Sequence, residues 1–156
     1  MKKGTYRIVK GDVTEPQRQD KNEAVIIPHV CNNLGIMGAG VALGLKRKWL
    51  EVETSYEGAT SLGKCSFAKV GDNIVVINMV AQSGLINKNN PKPIKYLALI
   101  NCMKFVQDWA ISGNCVIHTP KFGSLRAGGN WGFIEELIRE IWIDAGIDVT
   151  VYEYEK

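Results

Sequence analysis

The chain has 156 residues, 46% apolar and 22% charged, with 19 Lys and Arg against 16 Asp and Glu, a net charge of +3. That length fits one domain spanning 1–156, and the composition excludes a disordered chain, a collagen-like repeat and a coiled coil. The charge is too mild for a nucleic-acid footprint, and no apolar run reaches the roughly 18–20 residues of a membrane helix. The basic opening Met1-Lys2-Lys3-Gly4 leads into Thr5-Tyr6-Arg7 without an apolar signal core. A cytoplasmic monomer with no membrane or nucleic-acid partner is therefore expected. Cys31, Cys65, Cys102 and Cys115 form no CxxC pair and read as reduced, mostly buried thiols.

In chain order, Thr5–Val9 alternates as a strand with Tyr6 and Ile8 on one face. Ala24–Ile27 reads as a short strand stopped by Pro28. A helix is predicted over 40–49 and another within 52–61. Ser66–Val70, the turn Gly71-Asp72-Asn73 and the apolar run Ile74–Val80 predict a hairpin into a central strand buried on both faces. Tyr96, Leu99, Ile100, Met103, Val106 and Ala110 predict a helix ended by Gly113. Cys115–His118 reads as a strand. Ile134, Leu137, Ile138, Ile141, Trp142 and Ala145 predict a second long helix, with Asn130 as N-cap and Gly146 past its end. Val149–Tyr154 alternates as a last strand. Strands alternating with helices give a three-layer α/β domain, and the hairpin makes its sheet mixed.

Two glycine-rich loops carry the chemistry. One runs Asn32-Asn33-Leu34-Gly35-Ile36-Met37-Gly38-Ala39-Gly40-Val41-Ala42 and the other Phe122-Gly123-Ser124-Leu125-Arg126-Ala127-Gly128-Gly129-Asn130. Each follows a strand and precedes a helix, where open α/β sheets place their ligands and where helix N–H groups favour an anion. Glycines also serve simply as turns, but two such loops facing one crevice favour a diphosphate gripped from both sides. The dinucleotide fingerprint fails because Leu43 stands where its third glycine belongs. Walker loops beginning at Gly35 or Gly123 run into Val41-Ala42 or Gly129 instead of lysine and a hydroxyl residue. A cysteine phosphatase would need arginine at Met37, and an aspartyl-phosphate mechanism would need aspartate at Thr14. Two separated histidines make a metal cluster improbable, so hydrolysis here would use a positioned water without metal or cofactor.

The motifs together resemble the macro domain family, which binds ADP-ribose. Gly11-Asp12-Val13-Thr14, Cys31-Asn32-Asn33 with Gly38-Ala39-Gly40-Val41-Ala42, Pro120-Lys121-Phe122-Gly123-Ser124 with Gly128-Gly129-Asn130-Trp131, and Val151-Tyr152 occur in the family's order. The resemblance covers nearly the whole chain and implies a three-layer α/β/α fold with a central mixed sheet of about six strands. It also implies that Asp12, beside Val13, accepts from the adenine amino group, with Tyr152 packing near the ring. Asn32 and Asn33 would reach the distal ribose, and which of them makes the contact is open. The N–H groups of Gly38, Ala39, Gly40 and Val41, and of Ser124, Leu125, Arg126 and Ala127 after Gly123, would hold the diphosphate. Arg126 would meet a phosphate oxygen or sit in solvent.

His29-Val30-Cys31-Asn32 and Gly128-Gly129-Asn130-Trp131 are most similar to the branch that dephosphorylates ADP-ribose-1″-phosphate. That similarity implies a phosphatase, and the catalytic candidates are His29, Asn32 and Asn33, with Asn32 or Asn33 positioning ribose or water. His29 is the acid–base candidate, or a hydrogen-bonded histidine at the sheet; His118 reads as structural. A second branch uses a lysine and an aspartate to remove ADP-ribose from glutamate, and its positions hold Met79 and Ala127 here. Phosphatase relatives often carry aspartate where this chain has Asn130. A non-catalytic ADP-ribose reader and an ADP-ribosyl hydrolase are the alternatives.

Overall fold

The computed structural model describes residues 2–154. Six strands, β1 (Tyr6–Lys10), β2 (Val25–Asn32), β3 (Cys65–Gly71), β4 (Ile74–Gln82), β5 (Val116–Pro120) and β6 (Val149–Glu153), form one sheet in the order β1-β6-β5-β2-β4-β3. Only β3 runs antiparallel to its neighbour, so the sheet is mixed as the hairpin predicts. Helices α1 (Gly40–Lys48) and α2 (Leu50–Tyr56) cover one face, where Val25, Ile27, Leu45, Val52, Tyr56 and Val76 pack. Helices α3 (Tyr96–Gly113) and α4 (Trp131–Leu137) cover the other over Ile26, Ile77, Leu99, Met103, Ile134 and Trp142. The expected three-layer α/β/α fold is the fold observed.

Pro28 does not stop β2. The strand continues through it to Asn32 because β4 pairs along its whole length, with Pro28 opposite Ile77 and His29 opposite Asn78. What the proline ends is the other ladder: β2 pairs with β5 only at Val25–Val116 and Ile26–Ile117. The Pro28 carbonyl instead receives the Thr119 hydroxyl at 3.4 Å. Pro28 has no N–H to offer β5, and beyond it the two strands part.

Other expectations shift locally. Tyr6 is half-buried but Ile8 is 46% exposed, because β1 is an edge strand. Residues 149–152 are all buried, since β6 lies between β1 and β5 with both faces covered, so its alternation does not mark an exposed side. Gly113 stays inside α3, and Asn114 takes the left-handed cap at φ 51°. The helix predicted through Ala145 begins at Trp131 and widens into a π-helical segment over Ile138–Ile143. There Ile138, Trp142 and Ile143 are buried, a spacing of four to five that suits the wider turn. Asn130 caps α4 as predicted, accepting from the Phe133 N–H at 3.0 Å.

Candidate functional site

Where β2 and β5 diverge, a cavity of about 490 Å³ opens at their carboxyl ends. His29 to Asn32 and Pro120 to Ser124, at the strand ends, line it together with Gly38 to Ala42 and Arg126-Ala127 from the two glycine loops. A second cavity of about 410 Å³ adjoins it, lined by Gly11, Asp12, Val13, Tyr152 and Arg47. Gly40, Val41 and Pro120 line both, so the two spaces meet at the start of α1.

That helix start is bare. Its N-cap is Ala39, whose side chain accepts nothing, and the first backbone bond into the helix is Leu43 N–H to Ala39 O at 3.3 Å. The N–H groups of Gly40, Val41 and Ala42 are therefore the unpaired first-turn donors, at the positive end of the helix dipole. Gly40 has φ 61°, and a Cβ there would lie 3.5 Å from Cδ and Nε of Arg126, so the two glycine loops close on each other at this point. The first cavity is lined by Lys121 and Arg126 and by no carboxylate among the described residues. Its field suits an anion.

The second loop is held tightly. Gly129 N–H donates to Gly123 O at 2.9 Å, and a Cβ on Gly129 would lie 2.2 Å from that oxygen. Ser124 O accepts from Ala127 N–H at 2.8 Å, closing the 3₁₀ turn Leu125–Ala127. Ala127 was expected to offer its N–H to a ligand; the turn consumes that donor, and the Ala127 carbonyl takes Ile94 N–H at 3.0 Å.

The candidate polar residues divide into builders and open groups. Asn32 is buried and builds the first loop: Oδ1 accepts from Leu34 N–H at 3.0 Å and Ile36 N–H at 3.2 Å, and Nδ2 donates to Ile36 O at 2.8 Å. Beneath it the Tyr56 hydroxyl donates to the Asn32 carbonyl and accepts from Gly35 N–H at 3.2 Å. Asn33 turns away from the crevice, its Oδ1 accepting from Gly84 N–H at 2.9 Å. His29 is buried, 2.6 Å by Nε2 from Asn78 Oδ1, and desolvation pulls its pKa down to about 4. Cys31 follows it on the same face, its thiol pushed up by burial. Among the described residues, no group of three or more His, Cys, Asp and Glu could hold a metal ion.

In the second cavity Asp12 is exposed and its Oδ1 caps the Thr14 N–H at 2.9 Å and hydroxyl at 2.8 Å. The buried Tyr152 hydroxyl accepts from Gln17 N–H at 2.7 Å and lies 2.6 Å from His118 Nδ1. His118 is lowered to about 4 by desolvation, with Arg7 and Arg18 adding to the effect. Sequence reasoning missed Tyr56, Asn78 and the apolar Leu85 and Ile86 at the cavity mouth. Only Asn78 left a signal, a polar residue inside an apolar central strand that must find partners.

The fold is shared with solved structures of similar length. A protein of unknown function from Bacteroides thetaiotaomicron is 33% identical, with a TM-score of 0.88 over 96% of this chain and 98% of that one. A macrodomain protein from Streptomyces coelicolor is 32% identical, with a TM-score of 0.81 over 96% of this chain and 99% of that one. This chain is a macrodomain. Thermosipho africanus DarTG, solved in complex with ADP-ribose, shares the macrodomain fold at 14% identity and a TM-score of 0.74, over 97% of this chain and 42% of that one. No protein-family model matches the chain, and no curated protein is matched by it. In this macrodomain Met79 is buried and Ala127 lines the crevice, and being apolar neither offers it a charged group. No helix among the described residues is long and apolar enough to cross a membrane.

Proposed function

We propose that the protein binds ADP-ribose across the two adjoining cavities and hydrolyses ADP-ribose-1″-phosphate to ADP-ribose and inorganic phosphate. The observation that carries this reading is the uncapped start of α1, where three free N–H groups stand at the junction of the cavities with Arg126 opposite. A diphosphate placed there puts adenosine beside Asp12, Val13 and Tyr152 and the distal ribose in the larger cavity. The exposed Asp12 carboxylate keeps an oxygen besides the one that caps Thr14, which suits an amino donor. Gly38 to Val41 and Ser124 to Arg126 supply the backbone donors.

In the hydrolytic step a water oxygen bonds to phosphorus while the bond from phosphorus to the 1″-oxygen breaks. The proton that the water gives up passes to that oxygen, which becomes the hydroxyl of ADP-ribose, and the water oxygen stays on the phosphate. Positioning and amide donors supply the rate, since the site's own acid–base inventory is thin. Asn32 acts by shaping the loop, Asn33 by fixing its neighbour, and His29 by supporting the floor of the crevice as a neutral ring. A second reading, ADP-ribose binding without chemistry, is favoured by the absence of any Asp or Glu among the described residues lining the larger cavity.

The test is phosphate release from ADP-ribose-1″-phosphate in the presence of a chelator, with calorimetric titration of ADP-ribose alongside. Release at a rate the chelator leaves unchanged supports the phosphatase. Binding without release makes the protein a reader or sends the search to ADP-ribosylated substrates. No binding removes the ADP-ribose reading altogether.

A further inference from the structure

The segment between β4 and α3 is a long connection, yet it is built as a rigid object. Gly84 sits in it at φ 73°, with its N–H on Asn33 Oδ1 at 2.9 Å and its carbonyl on Gln82 Nε2 at 3.0 Å. Asn90 Nδ2 ties Ser83 O at 2.9 Å and Leu85 O at 3.0 Å, and Ser83 N–H meets Pro93 O at 2.9 Å. These bonds hold the backbone on both sides of Leu85. The element they fix presents Leu85 and Ile86, each 41% exposed, to the larger cavity. Ile36, 47% exposed, lines the same cavity from the first glycine loop. An apolar wall thus stands at the end of the crevice away from Asp12 and Tyr152, which line the other cavity.

Two exposed aliphatic side chains held in place by a buttressed loop are costly to keep in water and profitable only against an apolar surface. A furanose offers one in its C–H face, and a diphosphate does not. We propose that Leu85 and Ile86 are the residues that read the distal ribose, and that Asn33 is a positioning residue that holds them there through Gly84. This rests on the ADP-ribose reading and deepens it: the wall separates ligands that carry the second sugar from those that end at the diphosphate.

The experiment compares ADP-ribose with ADP by calorimetry, the ratio of their affinities being the readout. Leu85→Asn/Ile86→Asn is expected to weaken ADP-ribose about tenfold while ADP stays within about twofold. Asn33→Leu, which cannot accept from Gly84, is expected to lower the same ratio and to speed amide exchange at Gly84. Asn33→Asp, which keeps the acceptor oxygen, is expected to restore the ratio, because its added charge acts on the diphosphate that both ligands share. A ratio unchanged in the double variant overturns the wall. Equal losses for both ligands overturn it too, since the residues would then act on the whole fold. Loss of the ratio in Asn33→Asp as in Asn33→Leu overturns the positioning role. A wild-type protein that binds neither ligand refutes the ADP-ribose reading itself, a result distinct from all of these.

Discussion

His29 is the donor and Asn78 the acceptor in the 2.6 Å bond that joins β2 to β4 beneath α2. The two hydrogens of the Asn78 amide nitrogen are taken by Ser55 Oγ and Ser66 Oγ, each at 3.0 Å, with Val52 O at 3.3 Å sharing one of them, so Oδ1 faces the ring. The proton therefore sits on Nε2, and the imidazole is neutral. The nearby Cys31 sulfur lies 3.7 and 3.8 Å from the two ring nitrogens, nearly equidistant, which places it over the ring and not on a lone pair.

Acid should therefore destabilise the protein through two buried histidines, since desolvation lowers His118 as well as His29, the one bonded to Asn78. The pKa of His29 is about 4 in the folded state against 6.5 for the free side chain, so the unfolded chain binds the extra proton first. The stability contribution is complete above about pH 6.5 and is lost as the pH falls toward 4, by about 3 kcal/mol. Urea unfolding midpoints measured from pH 8 to 4.5 check the slope. Ring C–H resonances of His29 that stay still between pH 8 and 5.5 check its cause.

Replacing Asn78 with Ala leaves the buried His29 N–H without an acceptor and opens a gap under α2. The expected cost is about 2–4 kcal/mol in denaturant unfolding. A histidine that stays buried should then titrate lower still, since the Asn78 bond is what favours its proton, and one that leaves its pocket should move up toward the free value, which the same resonances would report.

Gly40→Ala tests the junction of the cavities. The new methyl would meet Arg126 only at an ordinary 3.5 Å, so the stability cost is that of an L-residue at φ 61°, about 1–2 kcal/mol. ADP-ribose affinity should fall at least about tenfold, because the methyl enters the space where the diphosphate would pass. Calorimetry and thermal melting together separate the two effects.

Arg126→Ala should leave the melting temperature within about a degree, the residue being exposed, while lowering ADP-ribose affinity about fivefold. Raising the salt concentration should weaken wild-type binding more than that of the variant. Equal salt slopes would remove Arg126 from the ligand.

The sheet and its helices were legible because their signals are local and repeated. Ile74–Gln82 is apolar on both faces, and Gly71-Asp72-Asn73 supplies the three positive φ values that its hairpin turn uses. The glycine loops were legible for the same reason. Roles within the loops were not, because they depend on direction: Asn32 and Asn33 are neighbours, yet one bonds inward to its own loop and the other outward to Gly84. Leu85 and Ile86 were invisible as site residues, since an exposed aliphatic pair in a connection carries no periodicity. Pro28 misled most, because a proline inside an apolar run reads as an end when only one ladder is known.

That proline has a consequence for the energetics of capture. At Pro28 the backbone nitrogen is closed in a ring and has no N–H to extend the ladder to β5, a covalent fact independent of any ligand, and the two strands pair only at Val25 and Ile26. No inter-strand bond has to break for the crevice to admit a guest, and no strand has to be re-paired when the guest leaves. The cleft floor should have one shape, empty or filled, so the free energy of contact goes into affinity and not into prying the sheet open.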